Sequence, residues 1–304
     1  MLRKLVIAVV ALAILGIAAF WVLTIPQTVT ASALPPHTPN LENGKMQFYV
    51  GGCASCHMTP GQKDRTKLGG GMALKSPFGT FYPPNISSDP KDGIGSWTEA
   101  QFITAMVKGT SPEGEHLYPA FPYTSYQHMS FRDLRDLFAF LKTLPAVESP
   151  EREHELAFPF NIRRLIGGWK LLYLDGQPFQ PDPSKPDDWN RGAYLVNGPG
   201  HCAECHSPRN FLGGIIKSER FAGGPNPDGK GWVPNITQKG LAEWSAKDIA
   251  YLLESGMTLE GDSVGSTMTE VVRNTSQISA DDRMAIATYV KSLPPVDGPP
   301  RPKK

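Results

Sequence analysis

Hydrophobic and polar positions divide the chain into an apolar leader and two sets of amphipathic helices. After Met1-Leu-Arg-Lys4, Leu5 to Ile25 is 21 residues without a charge. As a helix it would span roughly 30 Å at ~1.5 Å per residue, enough to cross a bilayer. Arg3 and Lys4 on its N-terminal flank predict that the bulk of the chain lies outside the cytoplasm. Ala31-Ser32-Ala33 offers an A-x-A cleavage site, but signal-peptide apolar regions usually run only ~7–15 residues. Residues 1–33 are therefore read as a retained membrane anchor, with a cleaved signal as the rival. The expected location is the periplasmic side of the inner membrane, or the periplasm if the segment is cleaved.

Further along, apolar residues recur at helical spacing. Trp97-Thr98-x-x-Gln101 has the form of a capping box; Phe102, Ile103, Ala105, Met106 and Val107 follow, and Gly109 stops the run. Its counterpart runs from Ser245 through Ile249, Leu252 and Leu253 to Gly256. Ser130 caps a helix with Phe131, Leu134, Leu137, Phe138 and Leu141 on one face, ended by Pro145. Ser279-x-x-Asp282 to Leu293-Pro294 repeats that design. No window sustains period-two alternation, so the expected class is all-α.

These helices belong to one pattern written twice. Cys53-Ala-Ser-Cys-His57 recurs as Cys202-Ala-Glu-Cys-His206, displaced by 149. Pro84-Asn-Ile-Ser87 recurs as Pro234-Asn-Ile-Thr237, Trp97 as Trp244, and Leu144-Pro145 as Leu293-Pro294, at offsets of 150, 147 and 149. Landmarks in one order near one offset predict a duplicated domain, with copies at 34–145 and 189–296 and a tail at 297–304. Pro145, Pro150, Pro159, Pro178, Pro181, Pro183 and Pro186 mark 146–188 as a linker. Yet Phe158-Pro-Phe160 and Ile162 to Leu174 are too apolar for a free tether. A short helix packed between the domains is expected there, with a partner-docking patch as the alternative.

Composition narrows the function classes. Gly (30) and Pro (29) make up about a fifth of 304 residues, against ~12 % in average usage, so loops are abundant. Lys and Arg (30) almost balance Asp and Glu (29), for a net charge of +1, which argues against a nucleic-acid partner. A hydrophobic content of 40 % excludes a disordered chain. The four cysteines all lie in the two CxxCH motifs, which excludes a disulfide-dense scaffold and a thiol nucleophile elsewhere.

C-x-x-C-H is the signature of c-type haem attachment. Cys53 and Cys56, and Cys202 and Cys205, would each bond haem vinyl carbons, and His57 and His206 would supply the proximal nitrogens. Two covalently bound haem c groups follow. Zinc needs four ligands and neither copy has a second nearby pair; a redox dithiol is not expected twice with His following. A backbone carbonyl should accept from the other ring N–H and orient each imidazole; the short loops Met58-Thr-Pro60 and Ser207-Pro208 are the candidate sources, with a carbonyl elsewhere in the chain as the alternative. A distal Met would raise the potential and close the iron to substrates. Met268, in Gly265-Ser-Thr-Met-Thr-Glu270 and before the polar loop residues Asn274-Thr-Ser276, is the candidate in the second copy, ahead of Met257. In the first copy His116-Leu-Tyr-Pro-Ala-Phe-Pro-Tyr123 places Phe121 where a Met-Pro ligand would sit. Met129 is the candidate there, with His128, His116 and Met106 behind it. Each methionine also suits an ordinary core position, and no catalytic residue is assigned.

Gly95-Ser-Trp97, the His116–Tyr123 run and Arg191-Gly-Ala-Tyr-Leu195 … Cys202-Ala-Glu-Cys-His-Ser-Pro-Arg-Asn210 together resemble the cytochrome c subunits of bacterial membrane-bound alcohol, gluconate and aldehyde dehydrogenases. The resemblance covers roughly residues 40–295. It implies two tandem class I-like cytochrome c domains relaying electrons from a dehydrogenase to a quinone, a terminal oxidase or a soluble cytochrome. Many members carry three haem motifs and this chain has two, which favours a smaller relay. The rival function is a dihaem redox enzyme of the peroxidase or thiosulfate-oxidising type, and a third is a structural anchor for another subunit.

Overall fold

The uncharged leader forms a 22-residue helix, α1 (Leu2–Leu23), none of whose span is buried against the rest of the protein. In this computed structural model, which describes residues 1–227, 229 and 231–301, the first copy runs α2 (Leu41–Val50), α3 (Cys53–His57), β1 (Leu74–Ser76), β2 (Gly79–Phe81), α4 (Glu99–Lys108), α5 (Tyr123–Tyr126) and α6 (Phe131–Thr143). Strand β3 (Glu155–Leu156) and α7 (Leu165–Tyr173) lie in the proline-rich stretch. The second copy runs α8 (Asp187–Asn197), α9 (Ala203–His206), β4 (Gly224–Pro225), β5 (Trp232–Val233), α10 (Ala246–Ser255), α11 (Thr267–Thr275) and α12 (Ala280–Lys291). The protein is mostly helical; its strands, two or three residues long, pair antiparallel as β1-β2-β3 and β4-β5.

The helix ends fall where the caps place them. Thr98 and Gln101 exchange hydrogen bonds at the start of α4, as do Ser245 and Asp248 at the start of α10. Both helices stop at a left-handed glycine, Gly109 (φ 56°) and Gly256 (φ 77°), a conformation in which a Cβ would be strained. Ser130 and Ser279 cap α6 and α12 by accepting from the Asp133 and Asp282 amides.

Two apolar cores result. Phe48, Phe102, Ile103, Leu134, Leu137, Phe138 and Leu141 build the first; Leu195, Val196, Ile249, Leu253, Ile286 and Val290 build the second. In each copy the first helix crosses the last at a glycine. A Cβ on Gly44 of α2 would lie 2.1 Å from the Asp136 carbonyl oxygen of α6, and one on Gly192 of α8 would lie 1.9 Å from that of Ala285 in α12. Only glycine lets these backbones approach so closely. Helix α2 also reaches across, sending Val50 into the second core.

Within the apolar stretch 162–174, helix α7 packs against both copies. Lys170 of α7 donates to the Lys108 and Gly109 carbonyls at the end of α4 (2.8 and 2.5 Å), and Trp169 Nε1 donates to the Leu212 carbonyl in the second copy (3.0 Å). Its contact with the end of α1 was not foreseen: a Cβ on Gly168 would lie 3.0 Å from the Phe20 ring.

The stretch around Met268, expected as a polar loop, is instead the helix α11, and Met268 sits in its first turn. Val271 and Val272 are too few to give a helical pattern on their own. Tertiary partners hold the helix: the Asn274 amide donates to Ser55 Oγ (2.8 Å), Glu270 pairs with Arg65 (2.7 Å), and Thr275 Oγ1 donates to the Leu253 carbonyl.

Candidate functional site

Each CxxCH motif starts at a sharp change of direction. Gly52 is left-handed (φ 59°) just before Cys53, and His201 takes the matching left-handed position (φ 37°) just before Cys202. A non-glycine residue there is strained. Its imidazole Nε2 lies 3.2 Å from the Gly51 carbonyl oxygen, so it ties the lead-in of one motif to that of the other. Ala54 and Ala203 are buried, while the four thiols and both motif imidazoles are half-buried, with Cys53 and Cys202 packed on the first and second cores.

Both imidazoles are fixed in the same way. His57 Nδ1 donates to the Pro84 carbonyl at 2.8 Å, and His206 Nδ1 donates to that of Pro234 at 2.9 Å. The carbonyl is as expected, but its source is not the loop after the motif. It is the proline of the repeated Pro-Asn-Ile segment, 27 or 28 residues downstream. The next residue anchors that segment: the Asn85 amide donates to the Val147 carbonyl (2.6 Å) and the Asn235 amide to that of Val296 (2.8 Å). With Nδ1 carrying the proton, Nε2 is the nitrogen left for a metal. Burial lowers both imidazole pKa values, partly offset by the carbonyls, and so favours the neutral, ligating form.

Burial also pushes the thiols up: Cys53 and Cys202 to about 12, and Cys56 to about 11 with help from Cys205 and Glu270. Neutral thiols of this kind are poor redox or thiolate nucleophiles. Among the described residues no three His, Cys, Asp or Glu side chains come together as a zinc site requires. Paired thiols one turn apart, beside an oriented neutral imidazole, fit a haem held by two thioethers and one nitrogen.

The distal candidates separate by environment. Met129 is 2 % exposed and shares its cluster with Cys53 and Ala54; Met268 is half-buried and packs on the cluster that holds Cys202 and Ala203. Met129 also borders the second copy, since a Cβ on Gly198 would lie 3.6 Å from its Cγ. His116 Nε2 donates to the Thr24 carbonyl (2.8 Å) at the foot of α1, and His128 Nδ1 to the Gln177 carbonyl (2.8 Å). Met106 is buried in the first core, and Met257 is half-buried in a bridge to Ser263, where it accepts from Ser263 Oγ at 3.7 Å.

The family profile described as cytochrome c matches residues 41–145. A protein of Cereibacter sphaeroides described as diheme cytochrome c-type is 48 % identical over 299 residues, which is 98 % of this chain and 100 % of that protein. The chain belongs to the dihaem c-type cytochromes. As a member of that family it carries covalently bound haem c and transfers electrons. The chain is also 38 % identical to the fructose dehydrogenase cytochrome subunit of Gluconobacter japonicus, over 85 % of this cytochrome and 53 % of that subunit. It is 37 % identical to the cytochrome c subunit of the alcohol dehydrogenase (quinone) of Gluconacetobacter polyoxogenes, over 88 % and 59 %. The cytochrome thus spans little more than half the length of these dehydrogenase subunits.

Several residues that join the two copies had no signal in the repeat, because they differ between the copies. Glu204, inside the second motif, accepts from Thr124 Oγ1 (3.0 Å) and Ser125 Oγ (2.9 Å) of the first copy and pairs with Arg209 (2.6 Å). Burial raises its pKa, but Arg209, Ser125 and His201 outweigh that and hold it below the usual carboxylate value. Tyr126 stacks edge-on against His201 at 5.7 Å.

Proposed function

We propose that the chain is a membrane-tethered periplasmic relay built of two tandem class I-like cytochrome c domains, residues 34–145 and 189–296. It would pass electrons from a dehydrogenase subunit to a quinone, a terminal oxidase or a soluble cytochrome. Cys53, Cys56, Cys202 and Cys205 are the thioether positions, His57 and His206 the proximal ligands, and Met129 and Met268 the distal ligands. Iron bound this way supplies one-electron redox chemistry at a potential raised by the thioether ligand. The two helix crossings at glycine and the two proline carbonyls, each built twice, support the tandem reading.

The observation that carries the relay is the meeting of the motifs. His201 on Gly51, Asn274 on Ser55 and Glu204 on Thr124 and Ser125 press the two CxxCH segments together within the protein. Adjacent redox centres suit electron passage from one to the other. Helix α1, uncharged beyond Lys4 and with no buried residue, supports the tether. The relatives described as dehydrogenase cytochrome subunits support a dehydrogenase as donor.

A redox titration followed by optical and EPR spectra tests the reading. Two low-spin haems that both cycle during turnover with a membrane dehydrogenase are expected. A high-spin haem with an open position would overturn it in favour of a dihaem enzyme. Haems that stay in one redox state would leave only an anchoring role.

A further inference from the structure

Helix α1 leaves the protein at a specific place, where its foot is fixed against α7. Thr24 is buried at its foot, where its carbonyl accepts from His116, and the Arg164 guanidinium donates to the Trp21 carbonyl (2.5 Å) while lying 4.2 Å from the Trp21 ring. Gly167 and Gly168 of α7 leave room for this contact: Cβ atoms there would lie 2.6 Å from Thr24 Cβ and 3.0 Å from the Phe20 ring. Positions 165, 168 and 172 share one helical stripe. The stripe that touches α1 through Gly168 therefore also carries Leu165 and Leu172, both exposed. Leu171, one turn beyond Gly168, is exposed as well.

The patch extends past α7. Trp169 holds the Leu212 carbonyl, and the Asn210 amide donates to the Tyr173 hydroxyl (2.9 Å), so the loop carrying Phe211 is fixed beside the helix. Phe160 packs edge-on against Phe78 (4.9 Å), and a Cβ on Gly213 would lie 3.1 Å from that same Phe78 ring. Phe158 is 79 %, Leu172 62 % and Phe211 87 % exposed. Large apolar side chains left open to water on α7 and on the loops that flank it mark an interaction surface. Its position identifies the partner. The stripe continues from the apolar helix α1, at the level where that helix emerges, and Trp21, Trp169 and Tyr173 flank it as aromatic side chains do at a membrane–water boundary.

We propose that residues 158–172 and the Phe211-Leu212 loop form a second membrane contact, an apolar platform seated in the lipid surface of the leaflet from which α1 emerges. The proposal rests on the reading of α1 as a retained membrane span. A single helix is a swivel. A platform beside it removes that freedom and holds the two motifs at a fixed height and orientation above the lipid.

The test uses the full haem-loaded chain in vesicles of phosphatidylethanolamine and phosphatidylglycerol, carrying one added cysteine at a time. Phe158→Cys, Leu172→Cys and Phe211→Cys probe the platform, Ile14→Cys probes the span, and Tyr251→Cys, exposed on α10, is the aqueous control. Two haems per chain by pyridine haemochrome certify that each variant is folded. With the native cysteines in thioethers, a water-soluble maleimide reports only the added thiol. Reaction at 158, 172 and 211 is expected to be at least ten-fold slower than at 251, with Ile14→Cys unreactive. An unreactive position 14 together with platform thiols as fast as the control would overturn the platform and leave the span standing. A reactive position 14 would remove the span, and the platform with it. Platform thiols protected only when a dehydrogenase is present would make the patch a protein-binding face and overturn the lipid assignment.

Discussion

His57 and His206 concentrate the chemistry of their copies, because each is positioned by a motif on one side and a distant proline carbonyl on the other. His57→Ala or His206→Ala is expected to lower the haem content from two to one per chain, counted by pyridine haemochrome. An unchanged count would remove the assignment of that motif. The distal pair is tested optically. Met268→Ala should abolish the weak near-infrared sulfur-to-iron band of one haem and Met129→Ala that of the other, each with a fall in potential. If Met129→Ala leaves both bands in place, Met129 is a core residue only and the first haem takes another ligand. The residue types at both motifs were legible in the sequence because thiol, thiol and imidazole occupy fixed spacings. The carbonyl behind each imidazole was not, since a backbone oxygen leaves no mark on residue identity. The repeated Pro-Asn-Ile segment was visible, but its purpose depends on a loop closing back over 27 residues.

Between elements, the crossings of α2 with α6 and of α8 with α12 set the shape of each copy. Gly44→Ala and Gly192→Ala place a Cβ against backbone carbonyls that cannot turn aside. Each substitution is expected to cost about 1–3 kcal/mol, the usual range for overpacking, read as a lowered Tm. A second device ties the segment before α2 to α6. Buried Asp136 accepts from the Asn40 amide N–H (2.8 Å) and the Asn43 side chain (2.7 Å), and meets His37 Nε2 at 2.6 Å. Burial raises the Asp136 pKa, but these partners outweigh it and hold the carboxyl below its ordinary value. The folded carboxyl thus binds its proton less tightly than the unfolded one. The stabilisation is complete above the unfolded Asp value of about 3.9 and is lost as pH falls through the lower folded value. Amide exchange in residues 34–40 should therefore rise at pH below about 4. Asp136→Asn should show that faster exchange already at pH 7, with a loss of about 1–3 kcal/mol.

At the scale of the molecule, the contact between the copies is what the proposed relay depends on. Glu204 is central to it, with Arg209 on one side and the Thr124 and Ser125 hydroxyls on the other. Glu204→Gln removes the negative charge and leaves Arg209 with only the Gly213 and residue-204 backbone carbonyls. The cost should fall at or below the ~3–5 kcal/mol of a fully buried pair, because Arg209 keeps some contact with water. Loss of a negative charge beside Cys205 should also raise the potential of the second haem, since ferric iron then has less compensation. Spectroelectrochemical titration reads both haems separately, and an unshifted second potential would show that Glu204 acts only on stability.

Spacing and periodicity by themselves determined the leader helix, the four capped helices, the duplication and the CxxCH residues. Each of these depends on neighbours a few positions apart, or on the same short signal occurring twice. Tertiary structure alone decided that Met268 lies on a helix, that α7 meets the foot of α1, and that His201, Glu204 and Asn274 press the motifs together. Those features depend on contacts between residues tens to more than two hundred positions apart. The side chains that make them differ between the two copies, so the repeat carries no trace of them.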